Sequence, residues 1–337
     1  MLLINLRRLS LYISVFVHNI LLVSASQNFP SSSICTFVSG TFEQNNSMLT
    51  ASSSFKRFVS KTARFMSSIS DTKTSSFTIA QFQCLDDNYG YLIHDEKTGQ
   101  TAAIDTPCAK TYNEELKKRN WTLTHIFNTH HHWDHTGGNK KLKELYQSDE
   151  FQIFGPKVEE SQIPGLDVPL SHGESIRLGG CGIEIIDVGG HTNGHIAYYI
   201  PSLNKVFVGD ALFALGCGKM FEGTPKQFWS SLLRLRSLPD ETTVYCAHEY
   251  TASNAKFAKS VEPGNQELMD RVDDIALKRK EGLPTVPTNL GVEKRTNPFL
   301  RIDVSDEIRK NVKVVEGVDD DATVFGKVRS AKDNFRG

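Results

Sequence analysis

Between Thr129 and Asn139 the chain reads THHHWDHTGGN, which puts four candidate metal ligands, His130, His132, Asp134 and His135, within six residues. The run follows an apolar stretch, residues 123–127, with the character of a buried strand. Residues two apart on an extended segment point the same way, so His130 and His132 can face one ion while His131 faces elsewhere. Asp134 and His135 then fall at the start of the next helical pattern, beyond which come Gly137, Gly138 and a Lys/Leu-rich segment. Imidazole mixed with carboxylate suits zinc, iron or manganese. A solvated His-rich turn would also cluster histidines, but it would need neither the alternate spacing nor an Asp-His pair at a strand-to-helix junction.

Three further polar residues each close an apolar strand pattern, where rigid scaffolds present working side chains. His191 stands in GGHTNGH, Asp210 in VFVGD and His248 in VYCAHEY. With the first cluster they make five histidines and two aspartates. That set exceeds the need of one four-coordinate zinc and suits two ions if one carboxylate bridges them. Asp210 is the best bridge.

The elements that must position these residues are short strands interleaved with helices. Strand patterns cover residues 77–84, 89–94, 101–104, 123–127, 151–154, 183–188, 196–200, 205–208 and 242–247, with Asp86, Asp87 and Asn88 as turn residues. Helical patterns cover 111–120, 139–146 and 225–238. After Tyr250 the pattern becomes helical, over 251–261, 265–281 and 319–335, with a Pro-containing loop around Pro284 and Pro287. The expectation is an α+β fold of packed sheets flanked by helices, followed by a helical region beginning near Glu249. Residues 77–248 would form the catalytic domain and 249–337 the helical one.

A chain of 337 residues, 39% hydrophobic and 23% charged, describes a soluble globular protein with room for two domains. A net charge of −1 gives no electrostatic case for binding nucleic acid or anionic membranes. Six scattered cysteines without a CxxC pair fit reduced thiols in an intracellular compartment. The N-terminal stretch, residues 1–76, has the composition of a targeting or disordered extension; up to Ser70 its one acidic residue is Glu43. Two addresses compete in it. Residues 9–25 form an apolar run behind Arg7 and Arg8, interrupted by His18 and Asn19. Residues 52–67 put Phe55, Phe58, Val59, Thr62, Phe65 and Met66 on one helical face and Lys56, Arg57, Lys61 and Arg64 on the other, the pattern of a mitochondrial presequence. The second is expected to work, from an internal start at Met48, directing the chain to the mitochondrial matrix. A start at Met66 would leave a cytoplasmic form.

The ordered set THHHWDH, GHTNGH, GD and a late His resembles the ligand pattern of the metallo-β-lactamase superfamily. Within it the chain resembles the hydroxyacylglutathione hydrolases, or glyoxalase II. That likeness is carried by DNY at 87–89, GCGKMFEGT at 216–224, HEYT at 248–251, PTVPT at 284–288, NPFLR at 297–301 and VRSAKDNF at 328–335. It implies an αββα sandwich with a helical C-terminal domain, acting as a monomer on the thioester of a 2-hydroxyacylglutathione such as S-D-lactoylglutathione, in methylglyoxal detoxification.

The resemblance also distributes the ligands. One divalent ion, expected to be zinc with iron or manganese as alternatives, takes His130, His132 and His191; the other takes Asp134, His135 and His248. Asp210 and a hydroxide bridge them. The hydroxide would attack the thioester carbonyl, with Asp134 orienting it or accepting its proton. A thiolate leaving group, whose conjugate acid has a pKa of roughly 8.5, departs without a strong general acid. Lys219, Tyr250, Arg329 and Lys332 match positions that contact glutathione, whereas alone the last two would read as solvated helix charges. Phe221 stands where relatives often carry a second glutathione-binding tyrosine. His195 could orient a ligand or be structural. Competing readings are a mononuclear iron-dependent persulfide dioxygenase, a nuclease of the same superfamily and a catalytically dead binding module. The full ligand set, the terminal VRSAKDNF and the near-neutral charge disfavour them.

Overall fold

Strands that are apolar on both faces must be covered on both faces, and this chain covers them with a second sheet on one side and helices on the other. The computed structural model describes residues 69–74 and 76–337. Over these residues the first sheet runs in chain order: β1 (Ile69–Lys73), β2 (Phe77–Cys84), β3 (Asn88–Asp95), β4 (Thr101–Ile104), β5 (His125–Phe127), β6 (Gln152–Pro156) and β7 (Val168–Leu170). Its first four strands are antiparallel and β4 to β7 are parallel. The chain continues through β8 (Ser175–Leu178), β9 (Cys181–Asp187), β10 (Ile196–Ile200) and β11 (Lys205–Gly209), then a separate hairpin, β12 (Leu212–Phe213) and β13 (Gly216–Cys217). β14 (Thr243–Cys246) adds parallel to β11, and β15 (Thr288–Asn289) completes the second sheet in the order β15-β14-β11-β10-β9-β8.

Alternation along the strands sorts the layers. Ile79, Tyr91, Ile93, Ile104 and Phe127 of the first sheet meet Ile185, Tyr198, Phe207 and Tyr245 of the second. Their neighbours Phe82, Leu92, Ala103 and Ile126 face outward onto Tyr112 and Leu116 of α1 (Ala109–Arg119). The one-turn α2 (Trp133–Thr136) leads into α3 (Asn139–Tyr146), whose Leu142 joins the same layer. Outside the second sheet, Ile186, Tyr199, Val206 and Val244 pack on Phe228 and Leu232 of α4 (Pro225–Arg236). Each fully buried side chain of this kind contributes about 1.5–3 kcal/mol, so the layers specify one another.

The C-terminal region is helical: α5 (Thr251–Val261), α6 (Gln266–Lys280), α7 (Leu290–Thr296), α8 (Asp306–Asn311) and α9 (Asp321–Asp333). The last four begin on side-chain caps, where Asn265, Asn289, Ser305 and Asp320 accept from the backbone N–H three residues on. Phe257 of α5 and Phe325 of α9 extend the layer over the second sheet. The result is the expected αββα sandwich with added C-terminal helices. No helix among the described residues is long and apolar enough to cross a membrane.

One boundary moves. The expected start of order at residue 77 misses β1, which pairs along β2 from Ile69 to Lys73. Asp71, Thr72 and Lys73 are exposed, as suits a polar edge strand, and Asp71 is tied to α1 by Arg119 at 2.8 Å. Such a strand shows no apolar alternation to find. The apolar run 9–25, the amphipathic segment 52–67 and the starts at Met48 and Met66 lie outside the described residues.

Candidate metal centre

The seven ligand candidates converge from both sheets at one edge of the sandwich. Strand β5 ends in the loop carrying His130, His132, Asp134 and His135, and Tyr198 of the second sheet holds that loop by donating its hydroxyl to the Asn128 carbonyl at 2.7 Å. His132 Nδ1 lies 3.1 Å from His130 Nε2 and 3.1 Å from His191 Nε2. A tetrahedral zinc with bonds near 2.05 Å has ligand–ligand edges of about 3.3 Å, so this spacing suits one ion. A second set comprises Asp134 Oδ2, 3.6 Å from His135 Nε2 and 3.5 Å from His248 Nε2. Asp210 faces both: Oδ2 is 3.5 Å from His191, while Oδ1 is 3.5 Å from His135 and 3.3 Å from His248.

Two buried atoms here lack hydrogen-bond partners, His135 Nε2 and Asp210 Oδ1. His135 Nδ1 donates to Asp105, so its Nε2 turns a lone pair towards a carboxylate oxygen. That juxtaposition is repulsive unless a metal ion, or in its absence a proton, lies between, and each orphaned buried atom otherwise costs about 1–3 kcal/mol. The donor set fits two divalent ions, and His/Asp chemistry at this spacing is that of a dinuclear site.

Neighbouring groups set which nitrogen each imidazole offers. Asp105 accepts from His135 Nδ1 at 2.8 Å and from the Thr129 N–H and hydroxyl at 2.8 and 2.9 Å. Asp87 holds His248 Nδ1 at 2.8 Å, and the Lys219 carbonyl holds His191 Nδ1 at 2.7 Å. Asn88 donates to the Asp134 carbonyl at 3.2 Å and its carboxylate at 3.4 Å. His195 Nε2 accepts from the Asp210 N–H at 3.1 Å, the orienting contact that its motif allowed. His131 turns away from the site onto Glu159. Gly209 has φ +49°, and a Cβ there would lie 2.4 Å from Thr129 Oγ1 and 2.8 Å from His195, so only glycine lets Asp210 approach. Sequence reasoning did not single out Asp105 or Asp87 as site residues. Asp105 closes the strand 101–104, the same signal that marked Asp210; Asp87 lay in a turn whose closeness to His248 only the fold creates.

Charge divides the centre. Burial and the adjacent His135 and His195 hold His130 well below its ordinary pKa; burial also lowers His132, reinforced by His191, and lowers His191 itself against the pull of Asp210. The three-histidine set is therefore neutral and ready to ligate. Burial opposes a charge on Asp210, but His248 and His135 outweigh it and keep the carboxyl far below the usual range. Burial likewise opposes protonation of His248, yet Asp210 and Asp87 raise it to about 9.

The residues matched to glutathione contacts separate into two kinds. Lys219 is exposed, its Nζ 5.1 Å from the centre of the Phe221 ring. Phe221 is 60% exposed and stands 5.3 and 5.7 Å from the His191 and His132 rings. Tyr250 stacks on His248 at 4.8 Å, and half-buried Lys332 lies 3.2 Å from the Ser253 carbonyl and hydroxyl. Arg329 differs from the expected solvent-facing partner of Lys332: it is 5% exposed. Its guanidinium donates to the carbonyls of Cys217 and Gly218 at 2.9 and 3.3 Å and to Asp333 at 3.0 Å. Three-residue spacing predicts a shared helix face but not which face is covered, and here the 216–224 loop covers Arg329.

Comparison with known proteins identifies the family in two matched segments. Residues 88–248 match the metallo-beta-lactamase superfamily, and residues 249–335 match the hydroxyacylglutathione hydrolase C-terminus. The chain is 49% identical over 257 residues to a hydroxyacylglutathione hydrolase of Erythrobacter litoralis, covering 76% of this chain and 99% of that one. It is 49% identical over 258 residues to the corresponding protein of Hyphomonas neptunium, covering 76% and 98%. Among solved structures, it resembles ETHE1 from Myxococcus xanthus with a TM-score of 0.50 and 27% identity, covering 78% of this chain and 99% of that one.

Proposed function

The chain belongs to the hydroxyacylglutathione hydrolase family of the metallo-β-lactamase superfamily, and from that premise we propose how its side chains carry out thioester hydrolysis. It is a hydrolase whose substrate is the thioester of a 2-hydroxy acid with glutathione. The observation that carries the reading is Asp210, whose two oxygens face the two ligand sets at 3.3–3.5 Å. His130, His132 and His191 would hold one ion, Asp134, His135 and His248 the other, and Asp210 both. Zinc is the ion proposed, because the neutral three-histidine set suits it. Two such ions, when bound, would supply a water acidified to near neutrality and a Lewis acid for the thioester carbonyl.

The protein's own groups do the rest. Asp134 is the more exposed of the two site carboxylates, with 24% of its side chain open against 10% for Asp210. It therefore faces incoming water and can accept its proton, while Asn88 fixes its rotamer. Burial and the nearby carboxylates Asp87 and Asp210 raise the Tyr250 hydroxyl well above its ordinary pKa, so it stays protonated and can donate to the substrate. Lys219 and Lys332 would meet the carboxylates of glutathione, and Arg329 would act from beneath by holding the loop that carries Lys219. The departing thiolate is a good leaving group, so no general acid is required.

S-D-lactoylglutathione hydrolysis and metal content measured on one purified sample test this reading. Turnover with two ions per chain is expected; two ions without turnover would defeat the substrate assignment. The family relationship favours hydrolysis over the persulfide dioxygenase alternative, and no substrate-dependent oxygen uptake is expected. We further propose that the chain is a monomer with its domain boundary near residue 249. The segment 52–67 would direct it to the mitochondrial matrix; a mature mitochondrial form that retained Phe55 would rule this out.

A further inference from the structure

Outside the ligand set, one buried carboxylate gathers more donors than packing requires. Glu159 ends the one-turn 3-10 helix Lys157–Glu159 just after β6 and is 1% exposed. Its Oε2 accepts from the His131 backbone N–H at 2.7 Å and from His131 Nδ1 at 2.9 Å. Its Oε1 accepts from the Thr192 hydroxyl at 2.5 Å and the Gly194 N–H at 2.9 Å. His131 lies between His130 and His132, and Thr192 directly follows His191. One carboxylate thus grips both loops that supply the three-histidine set, one oxygen to each loop. Gly194 is shaped for it, since a Cβ there would lie 2.7 Å from Glu159 Cγ. On the far side of His131, Nε2 is 3.7 Å from Glu222, whose other oxygen accepts from the Asn193 N–H at 2.8 Å. Glu222 belongs to the 216–224 loop, so the same histidine also touches the segment that carries Lys219.

We propose that Glu159 is a positioning residue that sets the separation of the His130/His132 loop from the His191 loop, and so tunes the ion held by those three histidines. The proposal rests on the metal-centre reading above. The physical reason is that all four partners are donors. A carboxylate satisfies all of them; an amide would turn its NH2 towards two donors and release one loop. The 3.1 Å nitrogen–nitrogen distances across the three-histidine set depend on both loops staying where Glu159 holds them. Loss of a group bonded directly to a ligand typically weakens metal binding by about 10–100-fold, and Glu159 reaches the ligands through their immediate chain neighbours.

Titrating cobalt(II) into the metal-stripped full-length protein, followed by its visible absorption, tests this without any assay of turnover. Wild type should bind two equivalents, with the step absent in His191→Ala assigned to the three-histidine set. In Glu159→Gln that step should weaken by about 10–100-fold and its spectrum should shift, while the Asp134/His135/His248 step stays within about 2-fold. Thr192→Val, which deletes one of the four bonds, should weaken the same step by about 5-fold; it decides the matter if Glu159→Gln does not fold. Wild-type affinity and spectrum in the variants, or equal weakening of both steps, would overturn the inference. A wild-type protein that bound no cobalt would instead overturn the metal-centre reading.

Discussion

Asp210 is where charge, burial and geometry coincide, so its removal should be felt by both ions at once. Asp210→Ala is expected to lower metal content from two ions to less than one and activity by more than about 100-fold, the upper range for losing even an outer partner. Metal analysis alongside kcat checks it; two retained ions would contradict the bridging role. Arg329 and Lys332 make a sharper pair. Arg329→Ala removes buried bonds to two loop carbonyls and should cost about 2–4 kcal/mol of stability, seen as a lower Tm. Lys332→Ala should leave Tm nearly unchanged and raise KM for the glutathione thioester several-fold. Equal KM effects with unaltered Tm would show that Arg329 contacts substrate directly. The thiols differ by the same logic: burial raises Cys84 and Cys217 to about 11 and Cys246 to about 12, and they are inert. Half-buried Cys108 stands at the N-terminus of α1, where burial raises its pKa but the Thr111 and Lys110 groups of the first turn outweigh it and lower the thiol. Iodoacetamide at pH 8 should label Cys108 before any other described cysteine.

At the scale of elements, strand β5 carries an acid-sensitive residue independent of the ligands. His125 is buried between Phe127 and Phe154, with Thr124 Oγ1 2.7 Å from its Nδ1, and burial lowers it to about 4. Its unfolded pKa is about 6.5, so the unfolded chain binds the proton more readily between the two values. Stability from the neutral imidazole is therefore complete above pH 6.5 and is lost as pH falls towards 4. The loss at pH 5 is at most about 2 kcal/mol. His125→Phe should stay folded at acidic pH better than wild type by that margin, judged by Tm at pH 5 against pH 8; a constant difference across that range would count against it. The strand itself was legible from its apolar pattern, as were β10, α3 and α5 with their exact bounds. Among the elements that escaped, β1 is polar, β7 carries Pro169 between its two apolar residues, and α7 and α8 are only seven and six residues long. The proposed ligands were legible because four of them cluster in one short segment and the other three follow apolar strand patterns. Asp105 carried the same strand-closing signal but was not singled out; Asp87 and Glu159 carried none, because an outer partner is defined only by what the fold brings beside it.

At the scale of the molecule, the two sheets are joined through their apolar faces and, at one edge, through the loops proposed to hold the metal ions. His130, His132, Asp134 and His135 hang from the first sheet; His191, Asp210 and His248 hang from the second. An ion held by residues from both sheets exists only when the sheets are correctly paired, so metal binding free energy is free energy of the sandwich. For a site saturated a thousandfold over its dissociation constant this amounts to about 4 kcal/mol. Without ions the edge keeps a buried Asp210 whose charge falls to His248 and His135 to balance, and both must then be protonated against burial. Stripping the protein with dipicolinate should lower Tm on the order of 10 °C, restored by adding zinc. Hydrogen exchange locates the effect. Amides of residues 128–136, 189–195 and 209–211 should lose protection, while the core of α5 and α6, which packs through Leu215, Ala258, Leu268 and Ile275 away from the ligands, should keep it. An unchanged Tm on complete metal removal would mean that packing alone holds this edge. Uniform loss of protection, extending into α5 and α6, would mean that the ions support the whole chain rather than the seam between its sheets.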